Sequence, residues 1–163
     1  MMQEQGSPGT PKEIMRSMMV FSLTIILGTV VFAGVMVMVH FTSGPVMDGQ
    51  EPFFKEIISY VAAGIGFFSC MAAIRIFKKM KSSGYSQVAL TGRLTRYRST
   101  LIAYLAACEG AALFAIIAFF MTGIFWLLII AALMLGVMML KLPLRKKIIA
   151  DLELDWKEQQ ELE

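Results

Sequence analysis

Glu109 is the residue on which chemistry could turn. It is the only charged residue between Ser99 and Leu140, and it lies near the middle of an otherwise apolar run. A carboxylate at the centre of a bilayer costs about 2.5–3.5 kcal/mol on insertion scales. Such a group either keeps its proton, because desolvation disfavours the charged form, or finds a polar partner on another helix. Intramembrane acids mark ion and proton pathways as well as interhelical contacts, and both roles are open for Glu109. Within the chain, Thr29 and Ser69 are the candidate polar partners at similar depth, with Thr24 a more distant third. No lysine or arginine shares that depth, so an internal salt bridge is not expected.

The other reactive residue types have plainer readings. Cys70 and Cys108 fall in apolar runs without metal-type spacing and read as small, polarisable packing residues. His40, near the end of the first apolar run, reads as an interfacial anchor with pH sensing as the alternative. There is no nucleophile–base pair, glycine-rich phosphate loop or metal-ligand cluster. No cofactor, metal or soluble-type enzymatic activity is therefore expected.

Small residues accompany these groups. Ala62, Gly66 and Cys70 recur at a spacing of four on one segment, and Ala103, Ala107, Gly110 and Ala111 share a face of another. Such faces let helix backbones approach closely in lipid. At about 100° per residue, Glu109 points roughly 120–140° away from the centre of its neighbouring small face. The small face is expected to pack on the second helix, with Glu109 turned towards a different neighbour, in this chain or in a second copy.

The elements that position these residues follow from hydropathy. The chain has 163 residues, is 57% hydrophobic and has a mean hydropathy of +0.68, above the usual 45–50% apolar content of soluble domains. Its uncharged runs are of membrane-crossing length. The spacing predicts an all-α integral membrane four-helix bundle, with helices over about 15–42, 53–77, 99–121 and 124–141. Thr42-Ser43-Gly44-Pro45 ends the first, Pro52 opens the second, Thr122-Gly123 divides the third from the fourth, and Pro143 closes the fourth. The first run is too long for a signal-peptide core and reads as a retained helix.

Residues 1–12, rich in glycine and proline, read as a flexible cytoplasmic leader, residues 13–142 as the transmembrane domain, and residues 143–163 as an acidic cytoplasmic tail. In that tail Ile148, Ile149, Leu152 and Trp156 recur at helical spacing, which predicts a short amphipathic C-terminal helix. Residues 86–98 read as a separate short helix on the membrane surface.

Orientation comes from the basic residues. All but Lys55 of the 15 lysines and arginines fall in the leader, the second connection or the C-terminal end. Short cytoplasmic loops carry this excess, so both termini are expected inside. The expected partners are the lipid bilayer, anionic lipid head groups at the basic loops, and a homo-oligomer or larger membrane complex. The bases flank spans without interleaved aromatics, so nucleic acid is not an expected partner. The acidic tail is free to fold over the basic middle loop.

Two stretches carry resemblances. Ala62-Ala63-Gly64-Ile65-Gly66, a cytoplasmic polar loop and Glu109-Gly110-Ala111-Ala112-Leu113-Phe114 together resemble the hairpin of the ring-forming proteolipid (subunit c) of rotary ATPases. That likeness implies a mid-membrane acid carrying an ion. Leu105–Gly123 and Lys147-Ile148-Ile149-Ala150-Asp151-Leu152-Glu153-Leu154 are similar to small uncharacterised inner-membrane proteins of Bacteroidota, which implies the bacterial inner membrane and no particular activity. Four helices with a membrane glutamate also resemble small multidrug resistance exporters, although their acid lies on the first helix. The reading is of an accessory or oligomeric inner-membrane component, with proton or cation translocation through Glu109 and small-molecule export as alternatives.

Overall fold

A computed structural model describes residues 10–47, 49, 51–82 and 90–152. The leader before Thr10, the loop residues Ser83–Ala89 and the tail beyond Leu152, Trp156 included, lie outside the described residues. The described chain is all-α: α1 (Pro11–Ser43), α2 (Pro52–Ser82), α3 (Leu90–Thr122), α4 (Trp126–Leu140) and α5 (Arg145–Leu152).

α1 starts at Pro11 because Thr10 and Glu13 form a capping box. The Thr10 amide donates to Glu13 Oε2 at 2.9 Å and the Thr10 hydroxyl accepts from the Glu13 amide at 3.4 Å. Proline at the first helical position supplies a fixed φ and lacks only an amide that would have had no partner. Gly44 ends the helix with φ of +75°, and its amide returns to the His40 carbonyl at 2.9 Å. Gly123, also at φ +75°, turns the chain from α3 to α4 while its amide bonds the Phe119 carbonyl at 2.7 Å.

α1, α2 and α3 are long and apolar enough to cross a membrane. The fourth helix, expected over 124–141, is shorter. Ile124 and Phe125 belong to the turn, where their carbonyls accept from Leu127 and Leu128 three residues on. α4 therefore has 15 residues, about 22 Å at 1.5 Å per residue, against a hydrocarbon layer of about 30 Å. A second correction concerns the expected surface helix. The described part of it, from Leu90 onward, is the continuous first part of α3 rather than a separate element. Leu90, Leu94, Tyr97 and Leu101 run down one side of that part and are all buried, so the apolar stripe of α3 simply extends past the charged residues between them.

α3 is the central helix. It packs on α1, α2 and α4, and α4 also touches both α1 and α2. α1 runs parallel to α3: its start meets the start of α3 (Ile14 and Met18 with Leu90 and Leu94) and its end meets the end of α3 (His40 with Phe119). Half of the apolar window of α3 is buried, against 11% for α1. Leu23, Leu27, Val30, Val31, Val35 and Met38 consequently form a large exposed apolar face on α1. Soluble proteins rarely carry patches of this extent; the chain is a small multi-pass membrane protein whose outer surface meets lipid.

Backbone groups in hydrocarbon must be satisfied internally, and so must buried hydroxyls. Ser22, Thr29, Ser59 and Thr122 each donate to the carbonyl four residues back, at 2.8, 3.0, 2.8 and 2.8 Å. Hydroxyls bound in this way are compatible with an otherwise apolar interior.

Candidate functional site

Glu109 sits in the middle of the membrane-length part of α3, at the seam between its buried and exposed sides. Leu105, Cys108, Ala112 and Ile116 on one side of it are fully buried. Ala103, Ala106, Gly110, Phe114 and Ile117 on the other side are exposed, and Glu109 itself is half-buried. At about 100° per residue these exposed positions form one continuous sector of α3. Ala107 and Ala111, on the far edge of that sector, turn towards α2. The Ser69 hydroxyl of α2 donates to the Ala107 carbonyl, and Ala111 packs beside Cys70. The small face of α3 is thus divided, with Ala107 and Ala111 against α2 and Ala103 and Gly110 open to the surroundings.

The small series on α2 enters the crevice between α3 and α4. Ala62 packs with Ala118, Phe119 and Leu127, and Cys70 with Ala111, Ala112 and Met134. Gly66 lies so close to α4 that a Cβ there would stand 3.0 Å from Ile130 Cγ2. Both cysteines are free, Cys108 buried and Cys70 half-buried.

The two candidate partners of Glu109 use their hydrogens elsewhere. Thr29 lies about three turns before His40, as Glu109 lies about three turns before Phe119, which puts them at similar depth on parallel helices. The Thr29 hydroxyl, however, donates to the Ile25 carbonyl on its own helix, and Ser69 donates to Ala107. Among the described residues no hydrogen bond or ion pair reaches the Glu109 carboxyl group.

No protein-family model matches the chain, and no curated protein or solved structure matches it either.

His40 occupies an aromatic cluster at the end of α1. Its ring centroid is 4.7 Å from that of Phe119 and 6.0 Å from those of Phe41 and Phe125. Its Nδ1 is buried without a hydrogen-bond partner among the described residues. The ring packs as an aromatic body between α1 and the α3–α4 turn. Among the described residues no three His, Cys, Asp or Glu side chains converge as a metal site.

Several polar residues prove more central than sequence reasoning had them. Tyr104, nearly buried, donates its hydroxyl to the Val137 carbonyl of α4 at 3.0 Å. Arg93 and Tyr97 lie buried at the opposite end of the bundle from His40, under α5. The Arg93 guanidinium donates to the Leu152 carbonyl at the end of α5, and the Tyr97 hydroxyl donates to the Asp151 carboxylate at 3.3 Å. Ile148 and Leu152, two of the four residues expected to form the apolar face of the tail helix, are buried in the same cluster as Met18 and Leu94. The signal for these residues was their spacing. Arg93, Leu94, Tyr97 and Leu101 share a side of α3, which continues the buried stripe of that helix rather than forming a surface element.

Proposed function

We propose that this chain is a small component of the bacterial inner membrane that works by lateral association with a second membrane helix. It crosses four times with both ends in the cytoplasm. The distribution of lysine and arginine supports the orientation, and the likeness to small inner-membrane proteins of Bacteroidota supports the compartment. The observation that carries the association is the exposed sector of α3, where Ala103, Ala106 and Gly110 offer a low surface beside a half-buried glutamate that has no hydrogen-bond or ion-pair partner among the described residues. Such a surface admits a helix at short range, and an incoming hydroxyl, amide or backbone carbonyl would meet the Glu109 carboxyl group.

A second reading rests on the same residue. A protonated carboxyl group at a lipid-facing seam can exchange its proton with a passing partner, as the likeness to the rotary proteolipid implies. Export of small molecules has no specific observation in its favour.

The test uses a background with Cys70→Ala and Cys108→Ala. Gly110→Cys is expected to cross-link into dimers or to a partner in membranes, whereas Leu27→Cys on the outer face of α1 is not. Adding Glu109→Leu should reduce the Gly110→Cys cross-link by about fivefold or more, consistent with an interhelical hydrogen bond of about 1 kcal/mol. Proton flux into liposomes is expected to be the same for the wild type and Glu109→Gln. Flux that Glu109→Gln abolishes would move the reading to proton carriage, and an unchanged cross-link in Glu109→Leu would remove the carboxyl group from the interface.

A further inference from the structure

At the end of the bundle opposite α5, a cleft of about 420 Å³ opens between the first turns of α2 and the start of α4. It is lined by Glu56, Ser59, Tyr60, Ile124 and Trp126. The Ser59 hydroxyl is turned to the Lys55 carbonyl at 2.8 Å, so the charged group of the lining is the Glu56 carboxylate, with the Tyr60 hydroxyl and the Trp126 indole N–H as its other polar groups. Glu56 is exposed and has no hydrogen bond or ion pair among the described residues. Tyr60 and Trp126 are 70% and 38% exposed, so part of each ring system is accessible from the cleft that they line. A carboxylate beside two aromatic rings is a setting that attracts an organic ammonium group, by charge and by the quadrupole of the rings.

The positive charges at this end act on a different part of the same ligand. Lys55, next to Glu56 on α2, is the sole lysine or arginine among the described residues at this end. The amino-terminal ends of α2 and α4, which carry partial positive charge, also lie here. Glu51, exposed just before α2, adds a second carboxylate to Glu56 at this end, so the field favours an ammonium group, while Lys55 and the two helix ends favour a phosphate beside it. A molecule that carries an ammonium and a phosphate a few atoms apart satisfies both. The cleft stands among exposed apolar side chains, Phe53, Phe54 and Ile57 of α2, at the level where tyrosine and tryptophan collect in membrane proteins.

We infer that the Glu56–Tyr60–Trp126 cleft binds the head group of a zwitterionic, ammonium-bearing phospholipid. The ammonium lies against Glu56 and the two rings, the phosphate lies towards Lys55, and the acyl chains run down the α2–α4 surface. The site is independent of Glu109 and of the association proposed for it.

The chain has two tryptophans, so Trp156→Phe leaves Trp126 as a reporter inside the site. Nanodiscs of phosphatidylglycerol doped with equal fractions of acyl-brominated phosphatidylethanolamine or acyl-brominated phosphatidylglycerol would quench its fluorescence according to which lipid sits beside it. The ethanolamine lipid is expected to bind about two- to fivefold better, the range of an exposed ion pair with a cation–π contribution. Glu56→Gln and Tyr60→Leu should each bring that ratio to one, with gel-filtration profile and helix content unchanged. Equal quenching by both lipids in the wild type, or a preference that survives Glu56→Gln, would overturn the inference. Saturable quenching by soluble tetramethylammonium without any lipid preference would also overturn it, in favour of a free cation.

Discussion

A methyl group placed on Gly66 would stand 3.0 Å from Ile130 Cγ2 and 3.7 Å from Met134 Cε, whereas one on Gly110 would meet nothing within 4 Å. The same residue type therefore does two jobs on neighbouring helices. Gly66 is glycine because α4 leaves no room for a side chain; Gly110 is free of any such constraint within the chain. Gly66→Leu should destabilise the bundle by about 1–3 kcal/mol, the usual cost of overpacking. Gly110→Ala should change stability by no more than about 0.5 kcal/mol. Unfolding of the two variants in mixed detergent micelles checks the contrast. At this scale the sequence was informative about residue type and poor about direction. Spacing marked Ala62, Gly66 and Cys70 as one packing stripe, but the choice between α3 and α4 as its partner depends on where the α3–α4 turn sets the helices. Glu109 was legible as the costly group, while the engagement of Thr29 and Ser69 with backbone carbonyls was not, because a hydroxyl can always return to its own helix or reach a neighbour's backbone.

α5 illustrates what an element needs from its surroundings. It has eight residues, and isolated helices shorter than about 12–15 residues are marginal in water. Its order comes from docking: Ile148 and Leu152 enter the core, Arg93 holds its last carbonyl, Tyr97 holds Asp151, and Lys147 Nζ donates back to the Leu140 carbonyl at 2.7 Å. A cation at a helix carboxyl end is also favoured by the dipole. Tyr97→Phe should weaken docking by about 0.5–1.5 kcal/mol, and Arg93→Ala by about 1.5–3 kcal/mol because a charged hydrogen bond is lost. Amide exchange over residues 145–152 should speed up accordingly, while exchange in the middle of α3 stays slow. The amphipathic pattern made α5 readable from sequence. The early start of α3 was harder to see, because Arg93, Arg96 and Arg98 look like loop residues until the Leu90–Leu94–Tyr97–Leu101 stripe between them is noticed. The capping box at Thr10 and Glu13 was likewise written in the sequence and sets the start of α1 earlier than hydropathy alone suggests.

Over the whole molecule the helices alternate in direction, and α3 separates α1 from α2. The start of α1, the start of α3 and α5 gather at one end, and the α1–α2 loop and α3–α4 turn at the other, where the Met47 amide bonds the Met121 carbonyl at 3.0 Å. Reporter fusions in bacteria should follow that division. Fusions at either terminus or after Gly84 should be active as cytoplasmic reporters, and fusions after Met47 as periplasmic ones. A C-terminal fusion that reads as periplasmic would contradict the docking of α5 beside the starts of α1 and α3. Hydropathy made the number of apolar helices legible. It could not show which of them sits at the centre, since α1 is as apolar as α3 and yet is mostly exposed. The short length of α4 has a consequence for the lipids themselves. Its outer ridge of Ile129, Leu133 and Leu140 falls about 8 Å short of an average hydrocarbon layer. If α4 crosses the bilayer, as proposed, acyl chains beside that ridge compress while those along α1 stand at full height, and the protein carries a thinned, asymmetric collar of membrane with it. Such a collar is relieved when two thin sides meet or when the surrounding bilayer is itself thin. The thickness of the host membrane thereby becomes a term in where this molecule resides and in which face it turns to a neighbour.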